Sequence, residues 1–133
     1  MLEVHSALTR ELDAELRAAH DLTLASYEVL LFLATAAGGE MRMAELADGV
    51  LVSRSGLTRR IDRMAATGLV ERRRCEEDGR GWLAAITADG RALFEQARGT
   101  HLAGVRRLYL DRFSAAEQRA LGELFARVRP DAS

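Results

Sequence analysis

The segment Ser53–Met64 constrains the fold of this chain more than any other, because it predicts a helix that is apolar on one side and arginine-rich on the other. Leu57, Ile61 and Met64 recur at the spacing of a single helix face, so we expect them to pack into a core. The opposite face is then free to contact something anionic. The residues predicted to point away from the core are Ser55, Arg59, Asp62 and Arg63, with Arg54 and Thr58 on the flanks.

The start of this helix has a second property that fits an anionic partner. Serine is a favoured N-cap, and a helix N-terminus presents free backbone N–H groups and the positive end of the helix dipole. We therefore expect a phosphate group to fit at Ser53. The alternative interpretation is an ordinary surface helix with a solvated arginine face. The neighbouring segments decide between these two interpretations.

A second short helix precedes this one. Met43–Val50 has the pattern of a short amphipathic helix that ends in turn-forming residues. Only three residues separate Gly49 from Ser53. Two helices joined this tightly predict a helix-turn-helix.

A β-hairpin is predicted to follow. Gly68 is placed like the glycine that ends a helix, and residues 69–75 and 82–87 have the pattern of two strands. Residues 76–81 contain two glycines and predict the turn between these strands. The sequence therefore predicts a mainly α-helical fold with a small β-hairpin as its wing, an α+β winged helix-turn-helix.

Charge is distributed unevenly along the chain. The formal net charge is −1, yet residues 53–80 hold eight arginines and five acidic residues, a net +3, and the remainder is net −4. The positive part coincides with the predicted helix and hairpin. Such segregation favours an anionic partner for this part of the chain.

The order of these segments and their amino-acid sequences resemble those of the MarR (multiple antibiotic resistance regulator) family of transcription regulators. The matching segments span about residues 8–128. They read LTLASYEVLLFLA, MAELADGVLVSRSGLTRRIDRM, GLVERR, the Asp78-Gly79-Arg80 wing tip and ITADGRALFEQA. The resemblance implies one MarR-type domain over 1–133, with a winged-helix DNA-binding lobe at about 24–87 and dimerisation helices at about 1–22 and 88–129.

The two ends of the chain are apolar enough to need a partner. Leu8, Leu12 and Leu16 step by four along the first helix, and a long helix is expected from Thr87 to about Phe113. A last helix follows, begun by the capping-box pattern Ser114-Ala115-Ala116-Glu117. We expect these helices to join two copies in a homodimer. The alternative is that they fold back on their own domain; the resemblance favours the dimer.

The resemblance also implies roles in binding double-stranded DNA. Two recognition helices related by a two-fold axis would read a pseudo-palindrome in successive major grooves. The residues expected to contact base edges are Arg54, Ser55, Thr58 and Arg59. Those expected to contact phosphates are Ser53, Arg63, Arg72, Arg73 and Arg74. Asp78 and Arg80 form the wing tip, from which Arg80 is expected to enter the minor groove. Strand alternation places Arg72 and Arg74 on one face and Arg73 on the other, so these three cannot all contact DNA.

Family members commonly bind a small effector between the dimerisation helices and the winged-helix lobe, so the resemblance implies a phenolic or anionic ligand here. The candidate polar residues of that crevice are His20, Tyr27, Glu28, Arg98 and His101. For each, a structural role is the alternative. Cys75 could act as a thiol switch, since three arginines precede it, but a half-buried strand residue is the simpler interpretation.

Other classes of protein fit the sequence poorly. The length of 133 residues and the 48% hydrophobic content suit one domain, and the single cysteine excludes an intrachain disulfide framework. No metal-ligand spacing, catalytic constellation or glycine-rich phosphate loop is found, so we expect neither an enzyme nor a cofactor. Without a long apolar run or a signal peptide, we expect a cytoplasmic bacterial-type protein away from membranes. The alternatives kept open are a winged helix that binds only proteins and a thiol-based redox regulator.

Overall fold

The computed structural model describes residues 2–50, 53–75 and 81–128. Within these ranges the chain forms a small antiparallel sheet surrounded by helices. The α-helices are α1 (Leu2–His20), α2 (Leu24–Thr35), α3 (Met43–Gly49), α4 (Arg54–Ala66), α5 (Ala88–Leu108) and α6 (Ala115–Ala126). The strands are β1 (Glu40–Arg42), β2 (Val70–Arg74) and β3 (Trp82–Ile86). This is the winged helix-turn-helix that the sequence predicts.

Side-chain caps define where the helices begin. The Ser53 Oγ accepts from the Gly56 backbone N–H at 3.0 Å, which confirms the predicted N-cap of α4. Ser114 and Glu117 form the predicted capping box at the start of α6. At the other end of α4, Gly68 has a φ of +80°, the left-handed conformation expected of a helix-ending glycine.

The core lies where α2, α3 and α4 meet the sheet and the first half of α5. Each of the three apolar α4 residues predicted to face the core is almost completely buried, and side chains of α2 and β2 pack around them. Leu30, Leu33 and Leu46 have no exposed surface at all. The helix-turn-helix is therefore held by its apolar side, which leaves the arginine side of α4 outward.

The sheet has one strand more than the sequence predicts, because β1 pairs with the hairpin. Strand β3 lies between β1 and β2 and is antiparallel to both, with Arg74 opposite Trp82 and Arg42 opposite Leu83. Sequence reasoning missed β1 because three residues, two of them charged, carry no readable alternation. The pairing partner of β1 is more than forty positions away along the chain.

The expected helix from Thr87 to about Phe113 is wrong at its end. Helix α5 stops at Leu108, and a 3₁₀ turn, Leu110–Arg112, follows. The backbone leaves the helical region at Tyr109, where φ is −129°. This turn brings the Phe113 ring edge-on to the Tyr109 ring, with their centroids 5.3 Å apart. No glycine or proline marks this helix end, and the helical spacing of apolar residues continues beyond it. The sequence therefore predicts too long a helix.

The two terminal helices differ in how they pack. Leu16 of α1 is fully buried, and Gly104 lets α5 approach Leu12 and Glu15 of α1 closely. Part of the predicted leucine row therefore packs within its own chain. In contrast, α6 has no buried residue: its Leu124 and Phe125 side chains are exposed, and Leu121 is half-buried.

Candidate nucleic-acid interface

The outward face of α4 carries the side chains that the sequence predicts for it. Ser53, Arg54, Ser55, Arg59 and Arg63 are all exposed. They lie opposite a buried apolar face, so the helix is anchored by one side and presents the other. Arginine guanidinium groups in this arrangement can reach both phosphates and the edges of bases.

Thr58 occupies an intermediate position at the edge of this face. Its side chain is half-buried, and its hydroxyl donates to the Arg54 carbonyl oxygen at 3.0 Å. The hydroxyl oxygen can still accept a hydrogen bond. Thr58 is therefore held in place as an acceptor beside the outward arginines.

Arg60 points inward, and sequence reasoning missed it. Its guanidinium donates from Nη1 to the hydroxyls of Thr23 and Ser26, both at 3.1 Å. Burial lowers the pKa of Arg60, and the nearby Arg63 and Arg17 lower it further. A signal existed, because Arg60 lies four positions before buried Met64 on the same side of the helix.

Thr23, which Arg60 contacts, is the N-cap of α2. The Leu24 N–H at this helix start donates to Asp13 of α1 at 2.8 Å, and Asp13 also pairs with Arg17 at 2.7 Å. Hydrogen bonds therefore run from α1 through the start of α2 to Arg60. This network is the polar connection between the first helix and the arginine-bearing helix.

The arginines of β2 divide between the two faces of the sheet as alternation predicts. Arg72 donates to Asp62 of α4 at 2.9 Å, and Arg72 and Arg74 both lie over the Trp82 ring. Arg73 is on the other face, where it pairs with Glu71 at 2.9 Å and with Glu40 at 3.5 Å. The arginines on the α4 side of the hairpin are thus Arg72 and Arg74.

A cavity of about 340 Å³ lies between the first half of α4 and the hairpin. Side chains from α3, α4 and both hairpin strands line it. Cys75 is among them; it is 4% exposed and follows the last residue of β2, so the predicted half-buried strand residue is in fact buried and just outside the strand. The predicted wing-tip residues Asp78 and Arg80 lie outside the described residues.

The candidate effector residues do not all come together. The Tyr27 ring lies 4.6 Å from the His101 ring and 5.5 Å from that of Phe94. The His20 ring nitrogen Nε2 is 2.7 Å from the Thr100 hydroxyl. These contacts lie between α1, α2 and α5, where the crevice was predicted.

The electrostatic environment separates Glu28 from this cluster. Burial raises the pKa of Glu28, while Arg60 and His5 oppose the rise. For Tyr27, burial raises the pKa, Arg98 lowers it and Glu95 raises it. Burial lowers the pKa of His101, whose Nδ1 has no hydrogen-bond partner among the described residues. Arg98 thus acts on Tyr27, whereas Glu28 faces the Arg60 side.

Across residues 2–50, 53–75 and 81–128, no group of three histidine, cysteine or acidic side chains is placed to hold a metal ion. Among the helices of these same ranges, none combines the length and the apolar character needed to cross a bilayer. The outward face of α4 and the hairpin beside it remain the main candidate site.

Comparison with known proteins identifies relatives of this chain. A MarR family model matches residues 20–81. An HTH-type transcriptional regulator of Bacillus cereus is 31% identical over 108 residues, which is 81% of this chain and 70% of that protein.

Solved structures extend the similarity to nearly the whole chain. AbsC, a MarR family transcriptional regulator from Streptomyces coelicolor, is 34% identical, with a TM-score of 0.90 over 96% of this chain and 85% of that one. A second regulator from that organism, solved in complex with DNA, is 29% identical, with a TM-score of 0.91 over 99% of this chain and 86% of that one. A mutant of MarR from E. coli, complexed with operator DNA, is 30% identical, with a TM-score of 0.85 over 96% of this chain and 89% of that one. This chain therefore belongs to the MarR family of transcriptional regulators.

Proposed function

We propose that this protein regulates transcription by binding double-stranded DNA sequence-specifically, with α4 as the recognition helix. The observation that carries the proposal is the division of α4 into a buried apolar face and an outward arginine face. Two of the similar structures contain DNA, which supports this partner. Arginine paired with guanine would supply about 1–3 kcal/mol of discrimination at one base pair.

The proposed roles follow from position on α4. Arg59 is the proposed central base-reading residue, because it lies opposite the buried apolar face. The other proposed base contacts are Arg54, Ser55 and Thr58, and the wing-tip pair Asp78 and Arg80 completes the proposed interface, with Arg80 in the minor groove. The proposed phosphate contacts are Ser53, Arg63 and Arg73. Of these, Arg73 would have to exchange its ion pairs with Glu71 and Glu40 for a phosphate.

We further propose that the protein binds its operator as a homodimer. Large apolar side chains near both ends are exposed in a single chain: Leu2, Val4, Leu102, Leu124, Phe125 and Val128. Exposed apolar clusters of this kind are typical of association surfaces. A second copy would cover them and place two recognition helices on a pseudo-palindromic site.

A small phenolic or anionic effector is the proposed control, and repression the proposed output. The cluster of Tyr27 and His101, with Arg98 acting on the tyrosine, supports an effector site between α2 and α5. An effector that favours the DNA-incompetent spacing of the recognition helices by about 1–3 kcal/mol would change operator affinity about 5–150-fold. A thiol switch is disfavoured because Cys75 is buried.

The deciding experiment measures binding of a labelled duplex from the upstream region of this protein's own gene over a series of salt concentrations. We expect affinity to fall steeply with salt, as it does when arginines displace counterions from phosphates. Arg59→Ala should weaken this binding and relax sequence preference. The matched control, Arg119→Ala, removes an exposed arginine from α6 and should change neither.

Two outcomes would contradict the proposal. A wild-type protein that binds no duplex more tightly than a scrambled one would favour the protein-binding alternative. Equal loss of affinity in the Arg59 and Arg119 variants would remove the recognition role from α4. Sedimentation at micromolar concentration tests the dimer separately, and a monomer there would contradict it.

A further inference from the structure

Trp82 is a large aromatic side chain that the fold does not bury. It is the only tryptophan of the chain and is 42% exposed at the first position of β3. Tryptophan side chains are highly buried on average, so a ring left this exposed calls for an explanation. The roles proposed above leave it unexplained.

Two arginines stack on this one ring. The guanidinium carbon of Arg72 lies 5.1 Å from the Trp82 ring centroid, and that of Arg74 lies 5.4 Å away. The β-sheet explains the geometry, because Arg74 is directly opposite Trp82 and Arg72 is two positions along on the same face. The negative face of the indole attracts both cations and offsets their mutual repulsion.

The same cluster touches the recognition helix. Arg72 donates to Asp62 on the outward side of α4 at 2.9 Å. Trp82 also lines the cavity between hairpin and helix, together with Arg54 and Thr58. The indole is therefore placed between the hairpin arginines and the first half of α4.

We propose that Trp82 is a positioning residue for DNA binding, and that its indole holds Arg72 against Asp62 and orders the exposed Arg74 for a DNA phosphate. This inference rests on the proposed function. A stacked arginine has already lost much of its rotamer freedom, so less entropy is lost when it contacts a phosphate. Arg72 at the same time joins the hairpin to the recognition helix. The Trp82 ring therefore positions both the hairpin arginines and the contact between hairpin and helix.

The test compares Trp82→Leu, which removes the aromatic face, with Trp82→Phe, which keeps a smaller one. We expect the leucine variant to bind its duplex about three- to tenfold more weakly, with a salt slope smaller by about one. The phenylalanine variant should retain most of the wild-type affinity and most of the wild-type salt slope. Thermal unfolding should show all three proteins folded.

Arg74→Gln provides a second route that leaves the ring in place. This variant alone should lower the salt slope by about one. The double variant with Trp82→Leu should lose less binding free energy than the sum of the losses of the two single variants. The sole tryptophan also supplies a direct readout. Its fluorescence should change when wild-type protein is saturated with duplex, because a phosphate bound by the ring-stacked Arg74 changes the charge beside the indole.

Different results would refute the positioning role of Trp82 and the proposed DNA-binding function. A wild-type protein that fails to bind duplex in a salt-dependent way would refute the proposed function itself. Wild-type binding with equal affinities and slopes for Trp82→Leu and Trp82→Phe would refute only the positioning role. Fully additive losses in the double variant, or unchanged tryptophan emission on saturation, would refute it as well.

Discussion

Replacing Gly90 with alanine should destabilise this protein, although alanine is the better helix former. Gly90 is buried in the first turn of α5. A Cβ there would overlap the carbonyl oxygen of Leu69 and lie 3.0 Å from Cγ1 of Ile86. The carbonyl has little freedom to move, because it accepts a hydrogen bond from the N–H of Thr87 at 3.1 Å.

The size of the effect follows from a comparison within the same helix. A Cβ at Gly99 would meet nothing within 4 Å, so Gly99→Ala should stabilise the protein by about 0.5–1 kcal/mol. At Gly90 the same gain opposes an overpacking cost of about 1–3 kcal/mol, and the upper part of that range applies because the obstacle is backbone. We therefore expect a net loss of about 1–2 kcal/mol for Gly90→Ala.

Thermal unfolding followed by circular dichroism measures the difference. One kcal/mol corresponds to about 3–5 °C for a chain of this length, so the two variants should move the midpoint in opposite directions. All samples need the same protein concentration, since association would make the midpoint concentration-dependent. A Gly90→Ala protein as stable as Gly99→Ala would refute the claim that close approach of α5 to the hairpin root requires glycine.

Three further predictions concern single side chains. Arg60→Met should weaken binding to specific and random duplexes alike, because this residue positions α4; a selective loss in competition assays would make it a base reader instead. Cys75→Ser should leave DNA binding intact, and peroxide that releases wild-type protein but not this variant from DNA would contradict a buried, inert thiol. Burial lowers the pKa of His101, so the unfolded chain takes up this proton more readily and stability should fall as the pH drops below about 6.5. His101→Gln should flatten that fall in denaturant titrations at several pH values, and an unchanged slope would contradict the assignment.

Sequence alone determined the elements whose causes are local. The two faces of α4, the Ser53 N-cap and the Ser114 capping box depend on residues within about four positions of one another. Gly68 ends α4 because its own backbone adopts a positive φ. Local spacing and capping were therefore enough to predict the winged helix and the outward arginine face.

Tertiary structure decided which side chains meet across the fold. Strand β1 exists because β3 supplies its hydrogen-bonding partners, and Arg60 turns inward because Thr23 and Ser26 accept from it. Arg72 finds both Asp62 and Trp82 only once the hairpin has closed against α4. These partners are ten to more than forty positions apart, and contacts over such separations depend on how packed elements are oriented, which no local periodicity encodes.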